Sequence, residues 1–397
     1  MTAGPGPNLL VVRFGAMGDM IQLGSLVAAL HGIWDRPVDV LGAHGWPERV
    51  LRGLPGLGDT ASLDSRRTPY WLSRSQRAAV AWLARREPAP AWLFEPRERP
   101  AAKSAWLLAR AGVPGDLVVD SRQVPRGPLE HTLDYQHRLA ALRPAGALAV
   151  PAAPPPTGAP PPEPPLPQLA VTDDELADCR RWLAGRGWRG EPLVVLQTQT
   201  RRANRGRWPD ARWAAAAGGV LRELPEARLL LAGTPAEAEA VERLADVCAD
   251  SRVEPAAADL PLRRLFALLA LAHSSISLDS GPAHAAAAVG CPVAVLQGMA
   301  DPRRCAPRGA PGTVRVVAAL PESEWPDDPV AWQTLHRMEE IEVDAALAGW
   351  RAAWRERPPA GGGEGSGGDA TSRTGGAPAG GGPSGGAPPA GGPGASA

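Results

Sequence analysis

Strand-like and helix-like segments alternate along almost the whole chain, and this alternation restricts the fold more than any other feature. Short apolar runs such as Leu9–Val12 and Leu193–Leu196 are followed by helical patterns such as Asp19–Leu30 and Asp210–Glu223. A strand followed by a helix, repeated many times, is typical of parallel sheets covered by helices. The sequence therefore predicts an α/β protein with parallel sheets.

The same pattern predicts further elements in both parts of the chain. The other predicted strands are Val38–Leu41, the region of Trp92–Phe94, Leu117–Val119, Arg228–Leu231, Ser274–Leu278 and Val293–Leu296. The other predicted helices are Gln76–Arg86, Lys103–Ala111, Pro235–Cys248, Leu262–Ala272 and Pro282–Val289. A last helix over Ile341–Trp354 either closes the second part of the chain or crosses back to the first.

Two segments of unusual composition divide the chain. Residues 151–168 are rich in proline, which favours an extended connector, and residues 358–397 consist mainly of Gly, Pro, Ala and Ser. A segment with so few large side chains cannot bury enough apolar surface to offset its ordering entropy. The sequence therefore predicts an N-terminal domain over 1–150 and a C-terminal domain over 169–357, joined by a linker and followed by a disordered tail.

Charge and composition argue against several classes of protein. The 42 basic residues balance 42 acidic ones, which gives no reason to expect nucleic-acid binding. The apolar runs are too short for a membrane span and the N-terminus lacks a secretory signal, so we expect a cytoplasmic protein. The cysteines are scattered without a CxxC pair, so neither a disulfide nor a metal site is expected from Cys179, Cys248, Cys291 and Cys305.

Ligands of open α/β sheets bind beyond the carboxyl ends of the strands, so polar turns after strands are the candidate sites. The first such turn, residues 13–19, contains Gly15 and Gly18, which let the backbone approach a ligand closely. Asp19 lies at the predicted start of a helix, where the helix dipole stabilises its charge. The alternative is that Asp19 only caps the helix. The G-x-x-G spacing is not the dinucleotide fingerprint, so an NAD oxidoreductase is not expected.

A second candidate turn, residues 197–210, carries four arginines between a strand and a helix. Pro209 and Asp210 suit the first turn of that helix. Because an Arg side chain holds phosphate oxygens with two parallel hydrogen bonds, such a loop suits a diphosphate. An ordinary solvated loop is the alternative.

The third candidate is the sequence Asp-Ser-Gly-Pro at 279–282, which precedes a helix made almost entirely of alanine. Pro282 suits the first helical position, and Ser280 or Gly281 suits the cap. Free amides at a helix start bind anions, and a surface with small side chains lets phosphates come near. Close packing against the sheet is a competing reason for the alanines. His284 is a candidate donor to a phosphate.

Together these turns resemble those of the ADP-heptose:lipopolysaccharide heptosyltransferase family, glycosyltransferase family nine. The matching segments are LLVVRFGAMGD, GRWPDARWAAAA, LLLAGTPAEAEAVERLA and DPRRCAPRG, with DSGPAHAAAAVGCPVAVLQG as the most specific. The resemblance implies the GT-B architecture, in which two Rossmann-like domains with parallel sheets face a central cleft. It also implies that the N-terminal domain binds the acceptor and the C-terminal domain the nucleotide sugar.

The resemblance further implies an inverting transferase that needs no metal ion and no cofactor. Asp19 falls on the family's proposed general base, which takes a proton from the acceptor hydroxyl. Glu237 is a weaker candidate for contacting the nucleoside of the donor. The donor-binding turn and helix of the family fall on Asp279, Ser280, Gly281 and His284.

One departure concerns the donor phosphates. Many family members carry a basic pair directly before Trp-Pro, whereas this chain has Gly206 followed by Arg207. Arg205 is the candidate replacement, although its forked guanidinium is not the point charge of a lysine. The expected donor is ADP-heptose and the expected acceptor a lipopolysaccharide-core glycan or glycolipid. A GT-B enzyme with a UDP- or GDP-sugar, a nucleotide-sugar epimerase and a non-catalytic sugar-binding scaffold remain alternatives.

Two aromatic and basic segments of the first domain, Tyr70–Arg74 and Trp82–Arg86, are candidates for transient contact with the inner-membrane surface. For the second segment, the end of an ordinary amphipathic helix is the alternative.

Overall fold

Two parallel β-sheets form the framework of the protein, as the sequence predicts. The computed structural model describes residues 7–95, 98–146, 163–199, 207–335 and 337–356. Residues 7–146 are called the first half and residues 163–356 the second half. The predicted linker up to residue 162, the predicted tail, Arg205 and Gly206 lie outside the described residues.

The first half contains one sheet and its covering helices. The strands are β1 (Leu9–Val12), β2 (Val38–Ala43), β3 (Leu57–Leu63), β4 (Ala91–Leu93) and β5 (Val118–Asp120). The helices are α1 (Met17–Trp34), α2 (Trp46–Val50), α3 (Arg74–Ala84), α4 (Glu98–Arg110) and α5 (Thr132–Ala140). The strands lie in the order β3-β2-β1-β4-β5, and their pairs are parallel.

The second half contains the other sheet. Its strands are β6 (Leu193–Gln197), β7 (Arg228–Ala232), β8 (Val253–Pro255), β9 (Ser274–Leu278), β10 (Val293–Leu296) and β11 (Val314–Val317). Its helices are α6 (Asp173–Gly185), α7 (Asp210–Glu223), α8 (Ala238–Cys248), α9 (Leu262–Leu271), α10 (Gly281–Ala288), α11 (Pro302–Cys305), α12 (Pro329–Leu335) and α13 (Val343–Arg355). The strand order is β11-β10-β9-β6-β7-β8, again with parallel pairs.

Each sheet has one place where the strand order changes direction. In the first sheet this place lies between β1 and β4, and in the second it lies between β6 and β9. The loops that leave two such neighbouring strands go to opposite faces of the sheet, which opens a crevice at the carboxyl ends of the strands. The turns after β1 and β9 are two of the three candidate turns, so the topology places them where ligands bind.

All eight predicted strands are present, with bounds shifted by a few residues at most. Three further strands, β3, β8 and β11, lie toward the outer edges of the sheets. β3 is partly exposed along most of its length and carries Gly58 and Asp59, residues that are uncommon in strands. β8 has only three residues and ends in Pro255. Edge strands bury less apolar surface than central ones, so their sequences carry a weaker signal.

The last helix, α13, closes the second half, which decides between the two alternatives left open by the sequence. The indole N–H of Trp350 donates to Ser274 Oγ of β9 at 2.8 Å. On the other side, a Cβ atom on Gly219 of α7 would lie 2.4 Å from Leu347 Cδ1. Helices α7 and α13 therefore pack closely because Gly219 has no side chain.

Helices α1 and α10 pack against each other and join the two halves. The alanines of α10 at positions 283, 285, 286 and 287 are buried. One apolar cluster runs from β1 through both helices to β10. Small side chains let two helices approach closely, so close packing is one reason for the alanine run.

The segment over 301–308 in the second half, which contains α11, adds polar contacts with α5 of the first. Arg308 pairs with Asp134 through two hydrogen bonds of 2.7 and 2.8 Å. His131, which caps α5, donates from Nε2 to the carbonyl oxygen of Ala306 at 3.0 Å. No helix in the described ranges combines the length and the apolar character needed to span a bilayer.

Candidate functional site

Asp19 lies in the first turn of α1, directly beyond the carboxyl end of β1. The helix begins at Met17, so Asp19 is its third residue and not the capping residue. Its Oδ2 atom accepts the backbone N–H of Ala16 at 2.9 Å. A Cβ atom on Gly15 would lie 2.3 Å from Asp19 Cβ, so only a glycine at position 15 lets the turn fold over the carboxylate.

A chain of alternating charges extends from Asp19 into the first half. Arg13 Nη2 donates to Asp19 Oδ1 at 2.6 Å, and Arg13 Nη1 donates to the carbonyl oxygen of Phe94 at 3.3 Å. Arg13 Nη1 also lies 3.9 Å from Glu95 Oε1, and Arg66 donates to Glu95 Oε2 at 2.6 Å. Because β1 and β4 are neighbours, the residues that follow them meet in the crevice of the first sheet.

The contacts with Arg13 and Ala16 keep Asp19 ionised. Burial by itself would raise the pKa of the carboxyl group. The charge of Arg13 and the hydrogen bonds from Ala16 and Arg13 outweigh burial, so the pKa lies below its usual value. The side chain is still 39% exposed, and the carboxylate is both ionised at neutral pH and accessible.

The turn after β9 is held by a buried glutamine. Gln297, directly after β10, donates from Nε2 to Asp279 Oδ2 at 3.2 Å and to the carbonyl oxygen of Ala300 at 2.6 Å. The hydroxyl of Ser280 donates to the carbonyl oxygen of Leu278 at 3.1 Å. Ser280 occupies the capping position of α10 without capping it through its side chain, and the helix begins at Gly281, one residue before the expected start.

The starts of α1 and α10 meet at the junction of the two halves. A Cβ atom on Gly281 would lie 2.3 Å from Met17 Cε and 3.3 Å from the Gly18 nitrogen. A Cβ atom on Gly18 would lie 3.0 Å from His284 Cδ2. The two glycines therefore permit this approach. Because helix N-termini carry positive partial charge, two of them at one place favour a bound anion, and the Asp19 carboxylate lies beside them.

Burial and the Asp19 carboxylate have opposite effects on the pKa of His284. Burial lowers the pKa of the imidazole to about 4, and the nearby Asp19 carboxylate offsets this only in part. The ring is therefore neutral at physiological pH. It offers an N–H donor to an anion rather than a positive charge.

Two other predicted residues, Arg207 and Glu237, follow strands of the second sheet at its carboxyl edge. Each forms its contacts with residues of its own loop. Arg207, before α7, pairs with Asp210 at 3.3 Å and is exposed. Glu237, after β7, accepts the backbone N–H and the hydroxyl of Thr234, both at 2.8 Å, and so caps the helical turn that leads into α8. The structure thus brings Gly15, Gly18, Asp19, Gly281 and His284 together. Arg205 lies outside the described residues.

Sequence reasoning did not assign Arg13, Glu95, Arg66 and Gln297 to the site. Arg13 and Gln297 follow buried strands directly and Glu95 follows one by a single intervening residue, which is the signal that identified the other candidate turns. Arg66 has no such signal, because it lies in the long loop after an edge strand. Its role depends on the tertiary contact with Glu95.

The described ranges hold no group of three or more His, Cys, Asp or Glu side chains placed to bind a metal ion. The four cysteines all lie in the described ranges and form no disulfide there. Burial raises the pKa of the Cys179 and Cys305 thiols to about 12 and that of Cys248 to about 11. These three thiols therefore stay protonated at neutral pH.

The two parallel sheets, with candidate turns at both crevices, have the architecture of the GT-B fold. The model of glycosyltransferase family 9 (heptosyltransferase) matches residues 102–324, more than half of the chain. The chain belongs to this family. A search of curated protein sequences found no significant match.

Solved structures of the same family share the fold at low sequence identity. The glycosyl transferase family 9 protein from Veillonella parvula is 13% identical, with a TM-score of 0.69 over 89% of this chain and 99% of that one. ADP-heptose lipopolysaccharide heptosyltransferase II of E. coli is 18% identical, with a TM-score of 0.63 over 88% and 98%. E. coli heptosyltransferase WaaC with ADP is 19% identical, with a TM-score of 0.58 over 86% and 98%.

Proposed function

We propose that this enzyme transfers heptose from ADP-heptose to a lipopolysaccharide-core or related glycan acceptor, with inversion at the anomeric carbon. The observation that supports this most is the position of the Asp19 carboxylate beside the start of α10. An ionised base from one half and an anion-binding helix end from the other then face the same reacting centre. The E. coli relatives include structures with ADP and with ADP-2-deoxy-2-fluoro heptose, which favours an ADP-linked donor.

Asp19 would act as the general base. The acceptor oxygen forms a bond to the anomeric carbon of the donor sugar while its proton passes to Asp19, and the bond from that carbon to the phosphate oxygen breaks. The electron pair of that bond leaves with the nucleoside diphosphate. A positioned base of this kind contributes about 10²–10⁴-fold to the rate.

The start of α10 would stabilise the leaving diphosphate. Among the described residues the Gly281 N–H has no acceptor, whereas the Ala283 N–H donates to the Ser280 carbonyl oxygen at 3.1 Å. The Gly281 amide, the helix dipole and the neutral His284 ring would therefore face the departing charge. We infer that Arg207, with Arg205, supplies the positive charge that a metal ion supplies in other transferases.

The two halves would divide the substrates between them. The first half, with Asp19, would hold the glycan acceptor, and the second half would hold the nucleotide sugar. Glu237 and Asp279 would contact the donor from the second half. A cytoplasmic location remains a prediction of the sequence.

A panel of nucleotide sugars, with released nucleotide as the readout, tests the proposal. We expect turnover with ADP-heptose and a core-oligosaccharide acceptor, and unchanged turnover after chelation of divalent ions. Turnover only with a UDP- or GDP-sugar would show that the donor is not ADP-heptose. Gly206, which stands where many family members carry a basic residue, would then be the first explanation. Tight nucleotide binding without transfer or hydrolysis would favour a non-catalytic sugar-binding protein instead.

A further inference from the structure

An exposed aromatic and basic surface lies on the first half, outside the site described above. Trp71 is 74% exposed, Leu72 66% and Trp106 41%. Large apolar side chains that are grouped on a surface, rather than scattered singly, mark interaction sites. We define the aromatic–basic face as Tyr70, Trp71, Leu72, Lys103, Trp106 and Arg110.

The turn that carries Trp71 and Leu72 is held rigidly. The Leu72 N–H donates to the carbonyl oxygen of Pro69 at 3.0 Å, and Arg77 donates to the carbonyl oxygen of Trp71. The fully buried side chain of Gln76 donates to the carbonyl oxygens of Ser65 and Thr68, at 2.6 and 2.8 Å. These hydrogen bonds hold the backbone of the turn in the conformation in which Trp71 and Leu72 project into solvent.

Aromatic rings and cations interleave across the face. The Tyr70 and Trp106 rings meet edge to face with centroids 5.3 Å apart. Lys103 Nζ lies 4.1 Å from the Trp106 ring, and Arg110 Cζ lies 4.6 Å from the Tyr70 ring. Lys103, Trp106 and Arg110 are three and four residues apart on α4 and so share one side of it. The loop and the helix therefore form one surface.

The segments that form this surface carry only positive charges, whereas the chain as a whole has no net charge. Residues 66–77 contain four arginines and no acidic residue, and residues 101–115 contain one lysine, one arginine and no acidic residue. Lys103 is the only lysine of the chain. Aromatic and aliphatic side chains that project between cations are the combination that binds the headgroup region of anionic membranes.

We propose that the aromatic–basic face docks on an anionic membrane surface. The exposed Leu72 favours a bilayer over a free sugar as the ligand. An aliphatic side chain is stabilised by burial at the boundary between headgroups and acyl chains, and it offers a glycan no hydrogen bond. The second segment considered from the sequence is not part of this face. Trp82 is buried, and Arg86 pairs with Asp39 at 2.7 Å and with Asp59 at 2.8 Å.

The face is connected to the candidate active site through its own loop. Arg66, four residues before Tyr70, pairs with Glu95, and Glu95 lies beside the Arg13 that holds Asp19. Docking would therefore place the acceptor side of the site near the bilayer. This consequence rests on the proposed function, whereas the docking itself does not.

Co-sedimentation of the full chain with vesicles tests the docking independently of any transfer activity. We expect binding to phosphatidylcholine vesicles that contain phosphatidylglycerol, weaker binding at high salt, and little binding to phosphatidylcholine alone. Each basic side chain removed, by Lys103→Ala or Arg110→Ala, should weaken binding about fivefold. Trp71→Ser with Leu72→Ser should reduce it further, while Leu335→Ser, at a leucine that is 51% exposed elsewhere, should leave it unchanged.

Three results would overturn the proposal. One is the absence of binding to either kind of vesicle. Another is vesicle binding that the face variants reduce no more than Leu335→Ser does. The third is a face that binds soluble core oligosaccharide but no vesicle, which would make it an acceptor surface. If vesicles bind as expected and no sugar is transferred, the docking stands and the proposed function fails.

Discussion

Gly18 and His284 belong to different halves of the protein and pack against each other, with only 3.0 Å between His284 Cδ2 and the place that a Cβ atom on residue 18 would take. Such a distance is shorter than ordinary carbon contacts. The start of α1 can therefore pack this closely against the start of α10 because residue 18 has no side chain.

Gly18→Ala should separate the two helix starts by a few tenths of an ångström. Because small displacements of reacting groups are costly, we expect kcat to fall about tenfold with little change in donor affinity. Gly32→Ala in the same helix is the matched control, since nothing lies within 4 Å of its added Cβ atom. Steady-state kinetics of the two variants make the comparison, and equal rates would mean that the junction is not needed for transfer.

Asp19→Asn should lower kcat by about 10²–10⁴-fold, because an amide cannot take the proton of the acceptor. Donor affinity, measured by calorimetry with ADP, should stay close to that of the native protein. Asp173→Asn, at an exposed helix start in the second half, controls for the loss of one charge. A normal turnover number in purified Asp19→Asn protein would remove Asp19 from the mechanism.

Arg13→Gln should move the acidic limb of the pH–rate profile to higher pH. In the native protein burial raises the pKa of Asp19, and the charge of Arg13 together with the hydrogen bonds from Ala16 and Arg13 more than offsets this. Without that charge burial is offset less, so Asp19 becomes protonated at a higher pH and the base is lost earlier as the pH falls. The profile of kcat/KM against pH measures the shift, and a limb at its original position would show that Arg13 does not set this pKa.

Arg207→Ala should weaken binding of the nucleotide diphosphate by roughly tenfold or more, because a hydrogen bond to a charged group contributes about 1.5–3 kcal/mol. Calorimetric titration with ADP gives the affinity. Arg243→Ala on α8, another exposed arginine in a local ion pair, is the control. The same loss of affinity in both variants would point to overall charge rather than to the loop before α7.

The free energy of unfolding should fall as the pH drops from 6.5 to 4. Burial lowers the pKa of His131 to about 4, so over this range the unfolded chain binds a proton that the folded chain does not. This linkage removes on the order of 3 kcal/mol by pH 4. His131→Gln keeps an N–H donor for Ala306 and removes the titration, so its unfolding midpoint in urea should depend less on pH.

The control for this measurement is His44→Asn. His44 is exposed and has a φ angle of 54°, a conformation that asparagine tolerates. Its pH dependence should match that of the native protein. His284, whose pKa is also lowered to about 4 by burial, retains part of the dependence in both variants. An unchanged slope in His131→Gln would contradict the assignment.

The central strands and most helices were predictable because their patterns are local. β1 and β6 consist almost entirely of apolar residues, which is what burial on both faces of a parallel sheet requires, and β9 is fully buried although three of its five residues are serines. The first turns of α1 and α10 were recognisable from glycines and polar residues directly after these strands. The edge strand β3 was missed since an exposed strand need not be apolar.

The candidate site was only partly predictable for the same reason. Asp19 and Gly281 lie in the turns that lead from a strand into a helix, and these turns carry recognisable motifs, so the sequence identified both. Arg66 and Glu95 are 29 residues apart and meet through a side-chain contact that no local pattern encodes. The structural role of Glu237 as a capping residue was also not foreseen.

The sequence by itself determined the α/β class, the parallel strands, the candidate turns and the resemblance to the family, because each depends on residues that are close together in the chain. Only the tertiary structure decided that Gly18 meets His284, that Arg13 donates to Asp19, and that Tyr70 and Trp106 share one face. Such contacts depend on how sheets and helices pack across long sequence separations, where shape and burial rather than local pattern choose the partners.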